Sequence, residues 1–147
     1  MKCRNCKSSL KQKLIDLGTC PPSNSYLDIV QIQSKEKYFP LKVYVCNKCW
    51  LVQTFDTNKA DELFTETYSY LSSYSDTWID HISKYVKDIT KKLSLNSKSL
   101  VIEVASNDGS LLKNFLRLKI PCVGIEPTKS TANIAKKAGI KVYNSFF

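Results

Sequence analysis

The chain has 147 residues, of which 43% are hydrophobic and 24% charged, and its formal net charge is +9. These proportions exclude a disordered chain, and no run approaches the roughly 18 apolar residues of a membrane span, so we expect no membrane partner. The opening residues, MKCRNCKSSL, lack the apolar core of a signal peptide, so we expect a soluble protein that stays in the cytoplasm.

The positive charge by itself does not predict nucleic-acid binding. Five basic residues lie within the first thirteen, but the others are dispersed, and only Arg4 and Arg117 are arginines. Arginine is the side chain best suited to reading guanine edges. We therefore expect the lysines to form a solvated face that attracts an anionic small substrate rather than a nucleic acid.

Four of the six cysteines form two C-x-x-C pairs, Cys3 with Cys6 and Cys46 with Cys49. This spacing lets two sulfurs of one tight turn bind one metal ion, and two such turns complete a tetrahedral site. Because four thiolates leave no open coordination position, we predict structural rather than catalytic zinc. The alternative is four reduced cysteines without metal.

Residues 1–56 are predicted to form this zinc-binding domain. Alternating residues at 40–45 and a second extended run at 50–55 place the second cysteine pair at the tip of a hairpin. The glycine and prolines of residues 18–24 predict a turn.

Residues 57–94 are predicted to connect this domain to the next. Residues 60–64 favour one helical turn, and residues 68–75, YSYLSSYS, favour a loop. From Asp76 onward apolar residues recur every three or four positions, which predicts an amphipathic helix capped by Ser75 or Asp76. His81 lies beside the apolar stripe, where either a polar edge contact or a role in the site is open.

Residues 95–147 predict an α/β fold, the first β-α-β-α-β part of a doubly wound parallel sheet. The predicted elements in order are strand 100–105, helix 110–118, strand 121–126, helix 129–138 and strand 140–143.

The turn after the first of these strands is where such folds bind ligands. Aligned on the dinucleotide pattern G-x-G-x-x-G, this turn has Ala105, Asn107 and Ser110, and Asp108 adds a negative charge where a pyrophosphate would lie. A nicotinamide oxidoreductase is therefore disfavoured, and a cationic ligand such as S-adenosylmethionine suits the turn better. Glu126 ends the second strand, where its carboxylate could accept hydrogen bonds from two ribose hydroxyls or remain solvated.

Together these motifs resemble one family, the zinc-containing C-methyltransferases that act on nucleotide-linked deoxysugars. The resemblance covers the N-terminal portion of that family. It rests on both C-x-x-C pairs, LGTCPPSN (17–24), YFPL (38–41), LVQ (51–53), YSYLSSYS (68–75) with His81, EVASNDG (103–109) and GIEP (124–127).

The resemblance implies a small zinc domain followed by a truncated Rossmann-like class I methyltransferase domain. The implied activity is S-adenosylmethionine-dependent methylation of a carbon in a nucleotide-linked keto-deoxysugar. Tyr68 and Tyr70 would line the substrate pocket, and Glu126 would hold the ribose. The residues implied to wrap the methionine part of the cofactor are Glu103, Ser106, Asn107, Asp108 and Gly109.

Two departures from the family pattern stand out. Trp50 follows the second cysteine pair, where glycine is usual in zinc knuckles, the tight turns that such pairs form. The chain also lacks the family's later histidine motif, which leaves the catalytic base unknown. We therefore expect the chain alone to be inactive and to bind cofactor weakly or not at all. It is either a truncated gene product or one half of a split enzyme whose partner chain completes the sheet. The alternative is a zinc-ribbon module that contacts nucleic acid or another protein.

Overall fold

The computed structural model describes residues 1–55, 57, 59–66 and 68–147, which form two compact units. Unit 1 is Met1–Leu63 and unit 2 is Phe64–Phe147. The three-part division at residues 56 and 94 stays a prediction, and its first boundary lies outside the described residues.

Unit 1 is built on an antiparallel sheet in the order β1-β2-β3. Its strands are β1 (Gln12–Cys20), β2 (Phe39–Val45) and β3 (Val52–Thr54), and a single helical turn, α1 (Ala60–Leu63), follows. β2 and β3 pair from Val45 and Val52 outward, so the second cysteine pair lies at the hairpin tip, as predicted.

The predicted turn at residues 18–24 is partly wrong, because Gly18, Thr19 and Cys20 belong to β1. Thr19 and Cys20 pair with the start of β2, after a register shift that follows Asp16. Gly18 has φ +79°, which permits this irregularity without the penalty that a side chain would bring. Sequence analysis missed this strand because its residues are mostly exposed on both faces, so no alternation of apolar and polar residues marks it.

Among the described residues, the interior of unit 1 is very small. Its buried cluster consists of Cys3, Leu10 and Cys46, so two of its three members are cysteines. The rings of Tyr44 and Phe55 add a tilted contact at a centroid distance of 4.7 Å. Cysteine sulfurs therefore occupy the position that the hydrophobic core takes in a larger domain.

Unit 2 begins with the amphipathic helix and continues into a parallel sheet in the order β4-β5-β6. Ser75 caps the first helix, its Oγ accepting from the Trp78 backbone N–H at 3.2 Å. The elements are α2 (Asp76–Lys92), β4 (Val101–Val104), α3 (Leu112–Arg117), β5 (Cys122–Ile125), α4 (Lys129–Lys137) and β6 (Lys141–Tyr143).

The core of unit 2 lies between the sheet and its helices. It consists of Val86, Leu112, Phe115, Ile120, Ala132, Ala135, Ile140 and Val142. Because β4 and β5 are parallel, their carboxyl ends meet at one edge, which brings the loops that follow them together. Among the described residues, no helix is long and apolar enough to cross a membrane.

Candidate functional site

The four paired cysteines converge on one point of unit 1. Cys3 Sγ lies 3.6 Å from Cys49 Sγ, and Cys6 Sγ lies 3.5 Å from Cys46 Sγ. All four ligand atoms lie within 4.8 Å of one another. A tetrahedral zinc ion with Zn–S bonds of about 2.3 Å separates its sulfurs by about 3.8 Å, so the cluster fits zinc.

The turn at the second cysteine pair forms although Trp50 stands where glycine is usual. Its backbone N–H donates to the Cys46 carbonyl at 2.9 Å, as that of Lys7 donates to the Cys3 carbonyl at 3.1 Å. Trp50 and Lys7 have φ values of +60° and +59°. Both knuckles therefore share one geometry and hold a non-glycine residue in the left-handed region, where a side chain is disfavoured.

Replacing Trp50 by glycine should stabilise zinc-loaded unit 1 by about 0.5–1 kcal/mol, because relief of the left-handed penalty exceeds the entropy that glycine adds to the unfolded chain. Little burial is lost, since Trp50 is 72% exposed. Urea unfolding followed by circular dichroism measures the change. Trp50→Ala keeps the backbone penalty and should give no gain, so equal stabilisation by both variants would contradict the explanation.

Hydrogen bonds favour the charged form, which a metal requires, at two of the four sulfurs, those of Cys3 and Cys46. Gln53, which is buried, donates from Nε2 to Cys3 Sγ at 3.3 Å, and its Oε1 accepts from the Arg4 backbone N–H. The Gln53 bond is the largest cause that lowers the pKa of Cys3. The Ser8 hydroxyl, 3.2 Å from Cys46 Sγ, is the largest cause that lowers the pKa of Cys46 to about 5. Sequence reasoning missed both groups, although Gln53 belongs to the LVQ motif.

A second site lies in unit 2, at the loop after β4. Ala105, Asn107 and Gly109 have φ values of +58°, +50° and +74°, so every second residue is left-handed. Asparagine tolerates this conformation and alanine does so at a cost. At Gly109 a Cβ would also overlap the Ile140 side chain and lie 3.0 Å from Ala135 Cβ. This is the physical reason why glycine is required at this one position of the loop.

Glu126 joins the loops that follow β4 and β5. Its Oε2 accepts from the Asn107 backbone N–H and its Oε1 from the Thr128 backbone N–H, both at 2.8 Å. The residue is only 4% exposed. Each carboxylate oxygen can accept a second hydrogen bond, so the predicted contact with two ribose hydroxyls remains a prediction that this geometry permits.

The loop after β4 is also bound to the segment 68–75, which we name the tyrosine segment. Asn107 Oδ1 accepts from the Ser72 backbone N–H at 2.9 Å, and Asn107 Nδ2 donates to the Tyr70 carbonyl at 3.2 Å. Asp108 Oδ2 accepts from the Ser73 backbone N–H at 3.0 Å. Sequence reasoning did not predict these contacts, because nothing in either motif specifies a partner 35 residues away.

Asp108 is fully buried, yet it stays in the charged form. Burial alone would raise the pKa of this carboxyl, but hydrogen bonds from Ser110 and Ser73 outweigh burial and lower the pKa. Ser110 donates from both its hydroxyl and its backbone N–H to Asp108 Oδ1, at 2.5 and 3.1 Å. The side chain of Asp108 is therefore committed to partners within the protein.

A cavity of about 430 Å³ opens beside these loops. Four of the predicted site residues line it, namely Tyr68, Tyr70, Asn107 and Glu126. The others in its wall are Phe64, Ser72, Val104, Ala105, Ile125, Pro127, Ser145, Phe146 and Phe147.

The remaining four predicted residues are not among those that line this cavity. Asp108 and Gly109 are buried beside it, and Ser106 is 3% exposed, with its side chain at the position that a Gly124 Cβ would occupy. Glu103 lines a different cavity of about 470 Å³ whose wall is mostly apolar. These residues support the loop rather than face the cavity.

His81 stacks on Trp78 with ring centroids 5.4 Å apart. Both line an open depression with Ser75 and Thr77. Neither ring belongs to the wall of the 430 Å³ cavity. The polar edge contact, one of the two interpretations left open by the sequence, matches this placement better than a role in the site.

Glu103 carries a buried carboxylate oxygen, Oε2, without a hydrogen-bond partner among the described residues. Burial, followed by repulsion from Asp108 and Glu126, raises the pKa of Glu103 to about 7. The folded protein therefore prefers this carboxyl in its neutral form at neutral pH and below.

This pKa predicts that unit 2 loses stability as the pH rises. The folded pKa lies above the ordinary value of 4.5, so the contribution is fully present below about pH 4.5 and is lost as the pH passes 7. Glu103→Gln should therefore match the wild type at pH 4.5 and exceed it by about 2 kcal/mol at pH 8, after allowance for partial exposure. Urea unfolding at both pH values, followed through unit 2, measures this. Glu66→Gln, at an exposed site, should show no such difference, and a wild-type stability that stays flat from pH 4.5 to 8 would contradict the prediction.

Comparisons with known proteins match the chain to a zinc-binding domain and to a C-methyltransferase. Residues 3–64 match a family model described as "Putative zinc binding domain". The whole chain is similar to C-methyltransferase NovU of Streptomyces niveus, with 29% identity over 146 residues. The alignment covers 99% of this chain and 34% of that protein, so the chain spans about a third of its relative's length.

Proposed function

We propose, from the resemblance of this chain to the N-terminal portion of a zinc-containing C-methyltransferase, that it supplies two parts of such an enzyme. Unit 1 is the zinc-stabilised module, and unit 2 is the S-adenosylmethionine-binding part. The observation that carries the proposal is the loop with three left-handed residues, joined through Glu126 to the next loop and opening on an aromatic cavity.

The fold proposed for unit 2 is the first half of a Rossmann-like class I methyltransferase domain. The parallel order β4-β5-β6, with a helix after each of the first two strands, supports this assignment. In such sheets ligands bind at the carboxyl ends of the strands, which is where the cavity lies.

The residues of the cavity suit a cofactor that carries positive charge. The carboxylate of Glu126 in the wall and the charged Asp108 behind it produce a negative potential in the cavity. This potential attracts a cationic ligand that carries no phosphate group. The volume of about 430 Å³ is within the range of small-molecule sites. When bound there, S-adenosylmethionine supplies an electrophilic methyl group on its sulfonium. Asn107 and Glu126 would contact it, and the other predicted residues would shape the loop.

The proposed acceptor is a carbon beside the keto group of a nucleotide-linked deoxysugar, with Tyr68 and Tyr70 lining its pocket. Carbon methylation requires a base that removes a proton from the acceptor carbon. The described residues that line the cavity include no histidine. The resemblance places this base in a later histidine motif of the family, so we propose that it lies outside these 147 residues, in a polypeptide that pairs with the free edge of β4, and that these residues alone do not transfer a methyl group. We also propose a cytoplasmic location, because the reduced cysteines that bind zinc in unit 1 are typical of that compartment.

A titration of the zinc-loaded, 15N-labelled chain with S-adenosylhomocysteine tests the cofactor proposal. The amides of Asn107, Gly109 and Gly124 should shift, while those of unit 1 stay unchanged. Glu126→Gln keeps the size of the side chain but weakens the hydrogen bonds that a carboxylate offers, so it should reduce affinity at least tenfold. Absence of shifts at millimolar ligand would contradict the proposal, as would salt-dependent micromolar binding of DNA in its place. Transfer of a labelled methyl group by the chain alone would overturn the proposed inactivity.

A further inference from the structure

The tyrosine segment contains a short 3-10 turn, Ser72–Tyr74, whose first backbone N–H groups need acceptors. Leu71 precedes this turn and has no side chain that can cap it. The acceptors come instead from the loop after β4, since Asn107 Oδ1 binds the N–H of Ser72 and Asp108 Oδ2 binds that of Ser73. Two side chains of one loop therefore cap a turn that lies 35 residues earlier in the chain.

One of these side chains, that of Asn107, also binds an aromatic residue of the cavity wall. Asn107 Nδ2 donates to the carbonyl of Tyr70, and Tyr70 lines the cavity at Glu126. The backbone N–H of Asn107 is held in turn by Glu126 Oε2. A continuous series of hydrogen bonds therefore runs from Glu126, through Asn107, to the tyrosine segment.

We propose that Asn107 and Asp108 are positioning residues that hold the tyrosine segment on the loop after β4, so that a ligand bound at this loop also sets the position of Tyr70. In this role the side chains of Asn107 and Asp108 affect the binding of the second ligand, the nucleotide-linked sugar, more than the binding of the cofactor. This coupling rests on the proposed function, whereas the attachment of the segment does not. Bound cofactor restricts the Tyr70 wall in advance, so the sugar nucleotide should bind more tightly to the cofactor-loaded chain.

Asn107→Gly is the informative variant, because glycine suits φ +50° and keeps the backbone N–H that binds Glu126. It removes both bonds that the Asn107 side chain makes to the tyrosine segment and leaves the bond from Ser73 to Asp108. Ala105→Gly is the matched control, since it relieves the same kind of left-handed strain in the same loop and removes no bond to that segment. Asn107→Asp restores an acceptor for Ser72 but not the donor to Tyr70.

Amide hydrogen exchange of the zinc-loaded chain measures the attachment without any cofactor. Exchange at Ser72 should be at least tenfold faster in Asn107→Gly than in Ala105→Gly, which should match the wild type. Asn107→Asp should bring Ser72 back towards the wild-type rate. Unchanged exchange at Ser72 in Asn107→Gly would overturn the proposal, and so would failure of Asn107→Asp to slow it.

The Tyr70 ring signal during titration with S-adenosylhomocysteine measures the coupling. At ligand concentrations that saturate the Gly109 shift in each variant, the ring signal should shift in the wild type and in Ala105→Gly and stay still in Asn107→Gly, even if loss of the Asn107 side chain weakens cofactor binding. A Tyr70 shift of equal size in Asn107→Gly would overturn the coupling. If Gly109 does not respond in the wild type, the proposed function and the coupling fail together, and the exchange rates still decide whether Asn107 holds the segment.

Discussion

Removal of zinc should unfold unit 1 and leave the amide signals of unit 2 in place. We expect this large effect because the described interior of unit 1 contains one buried aliphatic side chain, Leu10, beside Cys3 and Cys46. Structural zinc contributes about 10–16 kcal/mol of apparent binding free energy in small zinc modules, more than so small a core can replace. Addition of a strong chelator, followed by NMR and by a zinc-release dye, measures the loss.

A cysteine variant separates the metal from side effects of the chelator. Cys46→Ser removes one thiolate from the cluster and should reproduce the unfolding of unit 1 at stoichiometric zinc. Cys20→Ser lies outside the cluster and should retain one zinc per chain. Unit 1 signals that stay dispersed in Cys46→Ser without bound metal would show that the module folds without zinc, which is the alternative of four reduced cysteines.

Gly109→Ala should destabilise unit 2 by about 3 kcal/mol. An added Cβ meets the side chains of Ile140 and Ala135 in the core, which costs about 1–3 kcal/mol for overpacking, and the left-handed φ of +74° adds about 1–2 kcal/mol. Urea unfolding followed through the unit 2 amides measures the difference.

Gly139→Ala is the matched control for this substitution. Gly139 has a similar φ of +86°, but the nearest atom to an added Cβ is Leu116 Cδ2 at an ordinary 3.6 Å. This variant should lose only the backbone part, about 1 kcal/mol. Equal losses in the two variants would mean that contact with Ile140 and Ala135 contributes nothing, contrary to our explanation of the single glycine in the loop.

Much of unit 2 could be predicted from sequence, because its elements have distinct periods. The apolar stripe that includes Ile82 and Val86 marked α2, and short apolar runs at 100–105 and 121–126 marked the two parallel strands. The first of these strands was expected to be buried, but Ile102 and Val104 are more than half exposed. The C-x-x-C spacing likewise brought four cysteines to one point in unit 1. Local spacing was sufficient wherever the same local chemistry recurs in many proteins.

Contacts between distant polar groups could not be predicted in this way. Ser106 was expected at the cofactor, and the structure buries it against Gly124, which depends on the pairing of β4 with β5 rather than on its own motif. The side chains of Asn107 and Asp108 accept from backbone N–H groups, which nearly every residue carries. No side-chain motif therefore identifies these partners. Strand β1 was missed for a related reason, since its exposed residues carry no hydrophobic signal.

The two knuckles of unit 1 share one geometry but lie far apart in the chain, and this sets the order in which the module assembles. Each knuckle is local, so it can bind zinc through two sulfurs before the rest of the sheet exists. The zinc-bound knuckle must then meet the other knuckle by diffusion of the intervening chain. The entropy cost of closing this loop grows only with the logarithm of its length. We expect metal capture to be fast, ring closure to set the folding rate, and insertions between residues 21 and 38 to slow folding only slightly.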